Sequence, residues 1–340
     1  MQYLHCYCFH ILTKVWRSGR ALSVTYGAIP RAFAGGKPLG FQASAKQICK
    51  ASGFRYISIM SLVPPVVLTI AGFDPCSGAG VTADVKTIAA HGCYGVACIT
   101  ALTVQSTAGV RRVEVLDGKL VAETLAELAS DLEIAAVHIG MLGSGKVVRT
   151  VADFLTAYKM PNIVLDPILK SSSGTDLLDA AGVRLLIEEL LPLAAVVTPN
   201  VDEAAALTGM AVTDPEQMRA AARKLHDMGV SAAVVTGGHL EKAIDLLSFT
   251  SKRGIEQELF KSARLRSNST HGTGCAFATS VACHLAMGRG LPEAVLLAKA
   301  YVSAAISHAH PVGHGIGPVH HLYRMHQQRR VIAADPEPVN

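Results

Sequence analysis

The segment Asn268–Ala278, which reads N-S-T-H-G-T-G-C-A-F-A, contains the residues with the clearest chemical potential. Two glycines, Gly272 and Gly274, flank Thr273 just before an apolar helix, so several backbone N–H groups stay unpaired at the helix start. Such a terminus binds anions and stabilises the negative charge of a phosphoryl group during transfer. Cys275 occupies the same terminus, where we expect the thiol pKa to fall. The alternative is a glycine-rich loop beside a buried cysteine.

A second polar pair, Asn200 and Glu203, follows the apolar run that ends at Thr198. An Asn and a Glu three residues apart at a helix start are typical of a capping box. The same two side chains are also suited to ordering Mg²⁺ and its waters around nucleotide phosphates. The residues alone leave both interpretations open.

The first strand-like run leads into a glycine-rich turn, Ala71–Gly80, and then into a helical segment. Glycines let a backbone approach a ligand closely, although such turns also serve simple packing. The spacing fits neither the dinucleotide-binding G-x-G-x-x-G pattern nor a phosphate loop ending in G-K-[ST].

The elements that must position these groups alternate along the chain. Short, continuous apolar runs predict strands buried on both faces, at Val66–Gly72, Val96–Leu102, Ala135–Ile139, Ile163–Asp166, Ala194–Thr198 and Ala232–Thr236. Periodicity of 3.6 predicts helices at Ala79–Ala90, Gly118–Asp131, Lys146–Tyr158, Ala180–Leu190, Pro215–Met228, Cys275–Met287 and Pro292–Ala309. This order predicts an α/β fold with a mostly parallel sheet between helices, in three layers. Residues 244–266, around Gly254, predict a small antiparallel edge. Because ligands bind at the carboxyl ends of parallel strands, the polar segments above should meet there.

Charge and cysteine usage describe an ordinary globular chain. Residues 1–65 carry eight Lys or Arg and no acid, so subtracting eight from the net charge of +5 leaves about −3 for the remainder. A mildly acidic body argues against nucleic-acid binding. The eight cysteines show no zinc-ribbon or C-x-x-C spacing, which indicates a reducing compartment rather than a disulfide framework. The uncharged run Tyr56–Phe73 contains Pro64-Pro65 and is too short for a spanning helix, so we expect no membrane partner.

Composition changes near residue 63. We expect a basic extension over residues 1–62, a catalytic domain over 63–325 and a tail over 326–340. The extension fits three interpretations: an organelle transit peptide, a disordered segment, or an artefact of start-site choice upstream of Met60. We expect a cytoplasmic protein, with organelle import through residues 1–59 as the alternative.

Taken together, the segments resemble the hydroxymethylpyrimidine/phosphomethylpyrimidine kinases of the ribokinase-like superfamily. The matching motifs span about Val66 to His321 and include T-I-A-G-F-D-P from Thr69, S-G-A-G from Ser77, A-D-V-K-T from Ala83, I-T-A-L-T-V-Q ending at Gln105, I-G-M-L from Ile139, N-x-x-E from Asn200, T-G-G-H-L from Thr236, G-T-G-C from Gly272 and G-H-G-I-G-P-V-H from Gly313. Many members of the superfamily carry an Asp as general base where Cys275 stands, and a Cys there resembles this branch.

The resemblance implies ATP- and Mg²⁺-dependent phosphorylation of 4-amino-5-hydroxymethyl-2-methylpyrimidine and of its monophosphate in thiamine biosynthesis. It implies that Cys275, Gly272 and Gly274 are catalytic. It places the substrate against Gln105, Asp84, Ala79, Met141 and Ile168, and the nucleotide against Asn200, Glu203, Thr236, Gly238 and Thr273, with Mg²⁺ held through Glu203 and Asn200 by way of water. Gln105 suits an aminopyrimidine edge because an amide offers a donor beside an acceptor, although a strand-end Gln also pairs with backbone. The resemblance allows a homodimer, for which the residues give no independent support.

One segment departs from the family pattern. Many relatives have a Lys two residues before the glycine that is Gly174 here, whereas this chain has Ser172 there and Lys170 two positions earlier. We therefore assign no role to Lys170. Two other functions stay open: a pyridoxal/pyridoxine kinase, and a sensor that binds the pyrimidine without catalysis. We expect the scattered histidines, such as His91, His226 and His308, on surfaces or helix faces.

Overall fold

The computed structural model describes residues 63–325 except residues 172, 239–242, 263–264 and 266, together with two short strands at Lys14–Val15 and Val24–Thr25. The chain divides into two compact units, Met1–Met60 and Ser61–Asn340. The short strands pair antiparallel in the first unit. The predicted extension and tail otherwise lie outside the described residues. Within the described part of the chain, no helix combines the length and apolar character needed to cross a membrane.

The second unit is built on a nine-stranded sheet. Its strands are β1 Val66–Phe73, β2 Tyr94–Ser106, β3 Gly109–Val115, β4 Ile134–Ile139, β5 Ile163–Leu165, β6 Val196–Val197, β7 Ala232–Gly237, β8 Ala243–Ser251 and β9 Gly254–Ser262. They lie in the order β9-β8-β7-β6-β5-β4-β1-β2-β3. The six strands from β7 to β2 run parallel, and β8, β9 and β3 are antiparallel additions at the two edges.

Eight α-helices connect and cover the strands of this described region: α1 Gly80–Ala90, α2 Gly118–Asp131, α3 Gly145–Tyr158, α4 Ala180–Leu185, α5 Val201–Thr208, α6 Pro215–Asp227, α7 Thr273–Ala286 and α8 Leu291–Ser307. Apolar residues of α2 to α6 pack on one face of the sheet, and those of α1, α7 and α8 pack on the other. The predicted three-layer arrangement with a mostly parallel sheet is therefore confirmed.

Two elements differ from their predicted form. The helix predicted over Ala180–Leu190 is α-helical only to Leu185 and continues as a π turn, Leu186–Leu190, followed by a short 3-10 turn that contains Pro192. Proline lacks a backbone donor and crowds the preceding turn, which accounts for the departure from α geometry. The predicted antiparallel edge at residues 244–266 is present as β8 and β9.

The second difference is a hairpin, β2–β3, that the sequence analysis did not predict. β2 runs four residues beyond the predicted end at Leu102, and β3 folds back on it with Ser106 opposite Gly109. The pairing is irregular between Val104 and Gln105. Such bulges redirect a side chain, and here the redirected residue is the expected substrate reader.

Candidate functional site

The start of α7 and the loop after β1 pack directly on each other. Gly272, the residue before α7, has a φ of 80°, and a Cβ there would lie 1.8 Å from the carbonyl oxygen of Gly78. Only glycine satisfies both the left-handed backbone and this contact. Because Gly272 has no side chain, the first-turn amides of Gly274 and Cys275 receive no side-chain cap. An uncapped helix start of this kind is suited to an anion, as the sequence predicts.

The loop after β1 wraps around the carboxylate of Asp74. One oxygen, Oδ1, accepts from the amide of Cys76 at 2.9 Å, and the other, Oδ2, accepts from the amides of Gly78 and Ala79 at 3.1 and 2.9 Å. His271 Nε2 lies 3.0 Å from the same Oδ2. Burial alone would raise the pKa of Asp74, but these hydrogen bonds, above all that of His271, lower it to about 2. Asp74 thus stays ionised and holds the two glycine-rich loops together.

Two acids follow neighbouring strands: the buried Asp166 directly follows β5, and the half-buried Glu203 lies in the first turn of α5, which follows β6. Asp166 is within reach of the α7 terminus, since a Cβ on Gly274 would lie 3.6 Å from its Oδ2, and Thr198 Oγ1 donates to its Oδ1 at 3.3 Å. Burial raises the pKa of Asp166 to about 6, with a further rise from Asp84 that the charge of His138 opposes. Burial and the neighbouring Asp166 raise the pKa of Glu203 to about 8. Burial is the largest cause of both raised pKa values, and repulsion from a neighbouring acid adds to each of them, while His138 offsets part of the rise at Asp166.

Asn200 and Glu203 form the capping box that was one of their two interpretations. The Asn200 side chain accepts from the amides of Asp202 and Glu203 at 2.9 Å, and Glu203 Oε2 accepts from the Asn200 amide at 2.9 Å. The box is joined to the end of β7, because the Thr236 amide donates to Pro199 at 2.9 Å and Asn200 bridges to Thr236. Besides the cap, the Glu203 carboxylate accepts a backbone hydrogen bond from Leu169 and lies close enough to Asp166 for that acid to raise its pKa. Each carboxylate oxygen has two lone pairs, so the cap and a metal-binding role are compatible.

The remaining residues expected at the nucleotide lie at the same edge of the sheet. Gly238 is exposed directly after β7, and residues 239–242 beyond it lie outside the described residues. Thr273 is half-buried at the start of α7, and its hydroxyl donates to the carbonyl of Thr270 at 2.7 Å. Thr273 therefore lies in the first turn of α7, and Gly238 lies just past the carboxyl end of β7.

The expected fall in the pKa of Cys275 is wrong. The thiol is buried, and burial together with the charges of Asp84, Asp166 and Glu203 raises its pKa well above the ordinary value. A hydrogen bond from the amide of Gly80 opposes this rise without cancelling it. A helix terminus favours an anion only within its first turn and weakly, so desolvation and three nearby acids outweigh it.

The expected substrate residues are only partly brought together. Gln105 lines a cleft of about 150 Å³, together with His271, the tip of the β2–β3 hairpin, and parts of the loops at residues 171–173 and 315–316. Met141 and Ile168 pack with Ala101 and Leu177 in a small apolar cluster. They do not line that cleft, and neither does the half-exposed Ala79.

Asp84 lies beneath the site rather than in its wall. Its side chain is fully buried and accepts from Thr69 Oγ1 at 2.7 Å and from Thr279 Oγ1 at 2.8 Å, with His138 Nδ1 at 3.3 Å. A carboxylate with this many internal partners has no surface for direct substrate contact. The expectation of such a contact is therefore corrected to one of support beneath the loops.

Several histidines depart from the expected surface positions. His138 and His321 are buried outside the helices, and His271 is at the site, whereas the buried His284 lies on a face of α7, as expected. His138 is fully enclosed, and although burial opposes its charge, Asp84 raises its pKa above the ordinary value. Buried acids provide the partners that allow an imidazole to lie inside the core.

Sequence reasoning missed three site residues: Asp74, Asp166 and His271. Asp166 is the last residue of the predicted strand Ile163–Asp166, and an acid at that position was a signal that was available. The partnership of His271 with Asp74 and with Gln105 joins residues 197 and 166 positions apart, and no local pattern indicates it. Lys170 pairs with Asp176 at 3.4 Å on the surface, and Ser172 lies outside the described residues.

The chain is similar to known proteins over most of its length. A family profile for phosphomethylpyrimidine kinase matches residues 74–320. The hydroxymethylpyrimidine/phosphomethylpyrimidine kinase of Streptomyces coelicolor is 42% identical over 261 residues, which are 76% of this chain and 95% of that protein. The thiamine biosynthesis bifunctional protein ThiED of Geobacter sulfurreducens is 43% identical over 258 residues, 75% of this chain. The match covers 52% of that protein, so the chain spans about half the length of this bifunctional relative.

Among solved structures, pyridoxal kinase of Bacillus subtilis in its ADP complex superposes with a TM-score of 0.70 at 31% identity, covering 77% of this chain and 99% of that chain. The likeness confirms the ribokinase-like fold. Solved structures similar to this chain thus include both a pyridoxal kinase and a phosphomethylpyrimidine kinase.

Proposed function

Because this chain belongs to the phosphomethylpyrimidine kinase family, we propose that it transfers the γ-phosphoryl group of ATP to the hydroxymethyl group of 4-amino-5-hydroxymethyl-2-methylpyrimidine, in thiamine biosynthesis. The bond that breaks joins the γ-phosphorus to the bridging oxygen of ADP, and the bond that forms joins it to the substrate oxygen. The hydroxyl proton must leave during the transfer.

One observation carries this proposal: the uncapped start of α7 lies next to the buried Asp166 and is influenced by the charge of the half-buried Glu203, beside a cleft that contains Gln105. The amides of residues 272–275 hold the phosphoryl group through its negative charge. The cleft admits a small heteroaromatic ring, and Gln105 presents a donor and an acceptor to its edge. The site has a helix start suited to a phosphoryl group at one end and the Gln105 amide at the other. These groups suit a substrate that carries an alcohol on an aromatic ring.

Magnesium fits the acid pair. Mg²⁺ prefers oxygen ligands and keeps several waters. Asp166 lies close enough to Glu203 to raise its pKa, and a bound cation would relieve the repulsion between these two carboxylates. We therefore propose that Glu203 and Asn200 hold it through water, with Asp166 added to the set that the sequence predicted. When bound, the ion neutralises charge between the nucleotide phosphates.

Cys275 is the proposed acceptor of the hydroxyl proton, directly or through a water. Its place in the first turn of α7 puts it beside the amides that hold the phosphoryl group. Since its pKa is raised, the thiolate is scarce at neutral pH. Loss of negative charge from Asp166 and Glu203, by protonation or by cation binding, favours the thiolate.

Further proposals also depend on the membership of this chain in the phosphomethylpyrimidine kinase family. We propose that the product monophosphate is a second acceptor, and that residues 63–325 act as one kinase domain in the cytoplasm. A homodimer is also proposed. The sequence relatives named above support the pyrimidine over pyridoxal, since they are 42–43% identical whereas the B. subtilis pyridoxal kinase is 31% identical.

The deciding experiment measures ADP production by the full chain with Mg·ATP and the aminopyrimidine, with pyridoxal in parallel. We expect turnover on the pyrimidine, continuing past one phosphate per substrate. Preference for pyridoxal would reassign the substrate and keep the chemistry. Absence of turnover on both, with pyrimidine binding retained, would support the non-catalytic sensor instead.

A further inference from the structure

His271 contacts both Gln105, the proposed substrate reader, and Asp74 through its Nε2 atom. Its Nε2 lies 3.0 Å from Asp74 Oδ2 and 3.2 Å from Gln105 Nε2. At the other end of the amide, Gln105 Oε1 lies 3.1 Å from Thr103 Oγ1. The Gln105 side chain is thus held between His271 and Thr103 at the mouth of the cleft.

The position of the imidazole is fixed on several sides. The His271 amide donates to Gly317 at 3.0 Å, and its carbonyl accepts from the amide of Val319 at 3.2 Å. A Cβ on Gly78 would lie 2.3 Å from His271 Cδ2 and 3.2 Å from Pro318 Cβ. Gly78 therefore leaves the space that the ring occupies.

The hydrogen-bond partners of His271 determine whether its Nε2 carries a proton. Asp74 is ionised, because its pKa is about 2, and a carboxylate only accepts. His271 Nε2 must therefore carry a proton and donate. A Gln105 nitrogen facing it would bring two donors together, so the amide oxygen is the group that satisfies this contact.

The Thr103 contact leads independently to the same amide orientation. The single hydroxyl proton of Thr103 already donates to the carbonyl of Phe73 at 3.0 Å. Thr103 Oγ1 can then only accept from Gln105, which requires the amide nitrogen on that side. Rotating the amide by 180° places an acceptor at His271, whose single Nε2 proton is then shared between Asp74 and Gln105, and a donor at Thr103.

We propose that His271, fixed by Asp74, is a specificity-determining positioning residue that sets the orientation of the Gln105 amide. In this orientation the oxygen keeps one lone pair and the nitrogen keeps one N–H for the substrate. A 4-aminopyrimidine edge offers an N–H donor beside a ring-nitrogen acceptor and matches that order. A 4-oxo ring presents the reverse order of donor and acceptor. The inference rests on the proposed function, since it assumes that Gln105 reads the pyrimidine.

The test compares the full-length wild-type protein with His271→Leu, Thr103→Val and the exposed control His314→Leu. Each is assayed for kcat and KM on the aminopyrimidine and on its 4-oxo analogue, and for binding of the aminopyrimidine without nucleotide. His271→Leu should raise KM and the dissociation constant for the aminopyrimidine about tenfold, since a lost polar match costs this much or more. Preference over the 4-oxo analogue should fall at least tenfold, with kcat and KM for ATP within about threefold of wild type.

Thr103→Val should weaken the same preference, because it frees the other end of the amide. His271→Gln, whose amide N–H replaces the imidazole donor, should restore part of it. His314→Leu should change nothing. Unchanged preference in both His271→Leu and Thr103→Val, with thermal midpoints intact, would overturn the inference, and so would a loss confined to kcat. Failure of the wild-type protein to phosphorylate the aminopyrimidine would instead overturn the proposed function, so the two failures are distinct.

Discussion

Cys275 shows how burial reverses an expectation based on residue position. Placed at a helix start, it should ionise readily, yet burial and three acids keep it protonated at neutral pH. If it accepts the substrate proton, turnover must rise with pH, because the raised pKa leaves the thiolate fully formed only at alkaline pH. General-base catalysis contributes about 10²- to 10⁴-fold.

We therefore expect Cys275→Ala to lower kcat by at least about 100-fold with little change in KM for ATP. Cys275→Asp, ionised at lower pH, should keep measurable turnover and shift the rise in kcat to lower pH. Steady-state kinetics from pH 6 to 10 would check both variants. Near-normal turnover of Cys275→Ala would show that the proton leaves by another route.

The stability of the fold depends on pH through the ionisation of Asp74. Its pKa is about 2 in the folded chain against an ordinary 3.8, so ionisation stabilises the fold above about pH 4, and the gain is lost as pH falls through about 2. The shift corresponds to about 2 kcal/mol. Asp74→Asn should lower the free energy of unfolding by about this amount at pH 6, and the difference should narrow below pH 4. Urea unfolding measures it, with exposed Glu114→Gln as the control; a gap that is constant with pH would contradict the assignment.

At residue scale, the sequence identified the groups with strong local patterns. The glycines around Thr273 and the spacing of Asn200 and Glu203 could be interpreted from a few neighbouring residues. The reason is that the residues that form a helix start lie close together in the sequence. The His271–Gln105 contact depends on how far β2 extends and on a bulge beside Gln105. Tertiary pairing decides both, so neither could be predicted from spacing.

At the scale of elements, α5 combines a structural and a functional role in one turn. The capping box satisfies the helix start, and replacing an Asn cap by Ala costs about 1 kcal/mol. Asn200→Ala should therefore lower the thermal midpoint and raise KM for Mg·ATP. Asn200→Ser keeps a capping oxygen but shortens the reach toward solvent.

We expect Asn200→Ser to keep most of the stability while still raising KM for Mg·ATP several-fold. Thermal unfolding and initial rates at varied Mg²⁺ would separate the two effects. Equal KM values for Asn200→Ser and the wild-type protein would show that Asn200 is a cap only, and Mg²⁺ would then be left to Glu203 and Asp166.

The strand pattern was predictable where strands are buried on both faces. β1, β4 and β5 read as continuous apolar runs because helices cover both sides of the sheet. β3 was missed because it is a short edge strand with exposed Arg111 and Arg112. Its formation depends on the neighbouring β2, which supplies the hydrogen bonds.

At the scale of the whole molecule, the apolar clusters formed by the described residues lie between Val66 and Tyr323. The family match, residues 74–320, falls inside the same span. The two compact units also divide after Met60. Folding energy from apolar burial and the proposed chemistry thus belong to one continuous region of the chain.

Removal of residues 1–59 should therefore leave kcat, both KM values and the thermal midpoint within experimental error of the full chain. The physical reason is that the deletion takes away no member of the apolar clusters and no site residue. Parallel assays of the full chain and of residues 60–340, with Mg·ATP and the aminopyrimidine, test it. A several-degree fall in midpoint would show that the first unit stabilises the second. A fall in kcat/KM at unchanged midpoint would show that residues 1–59 act on the site itself, and the basic extension would then require a catalytic explanation.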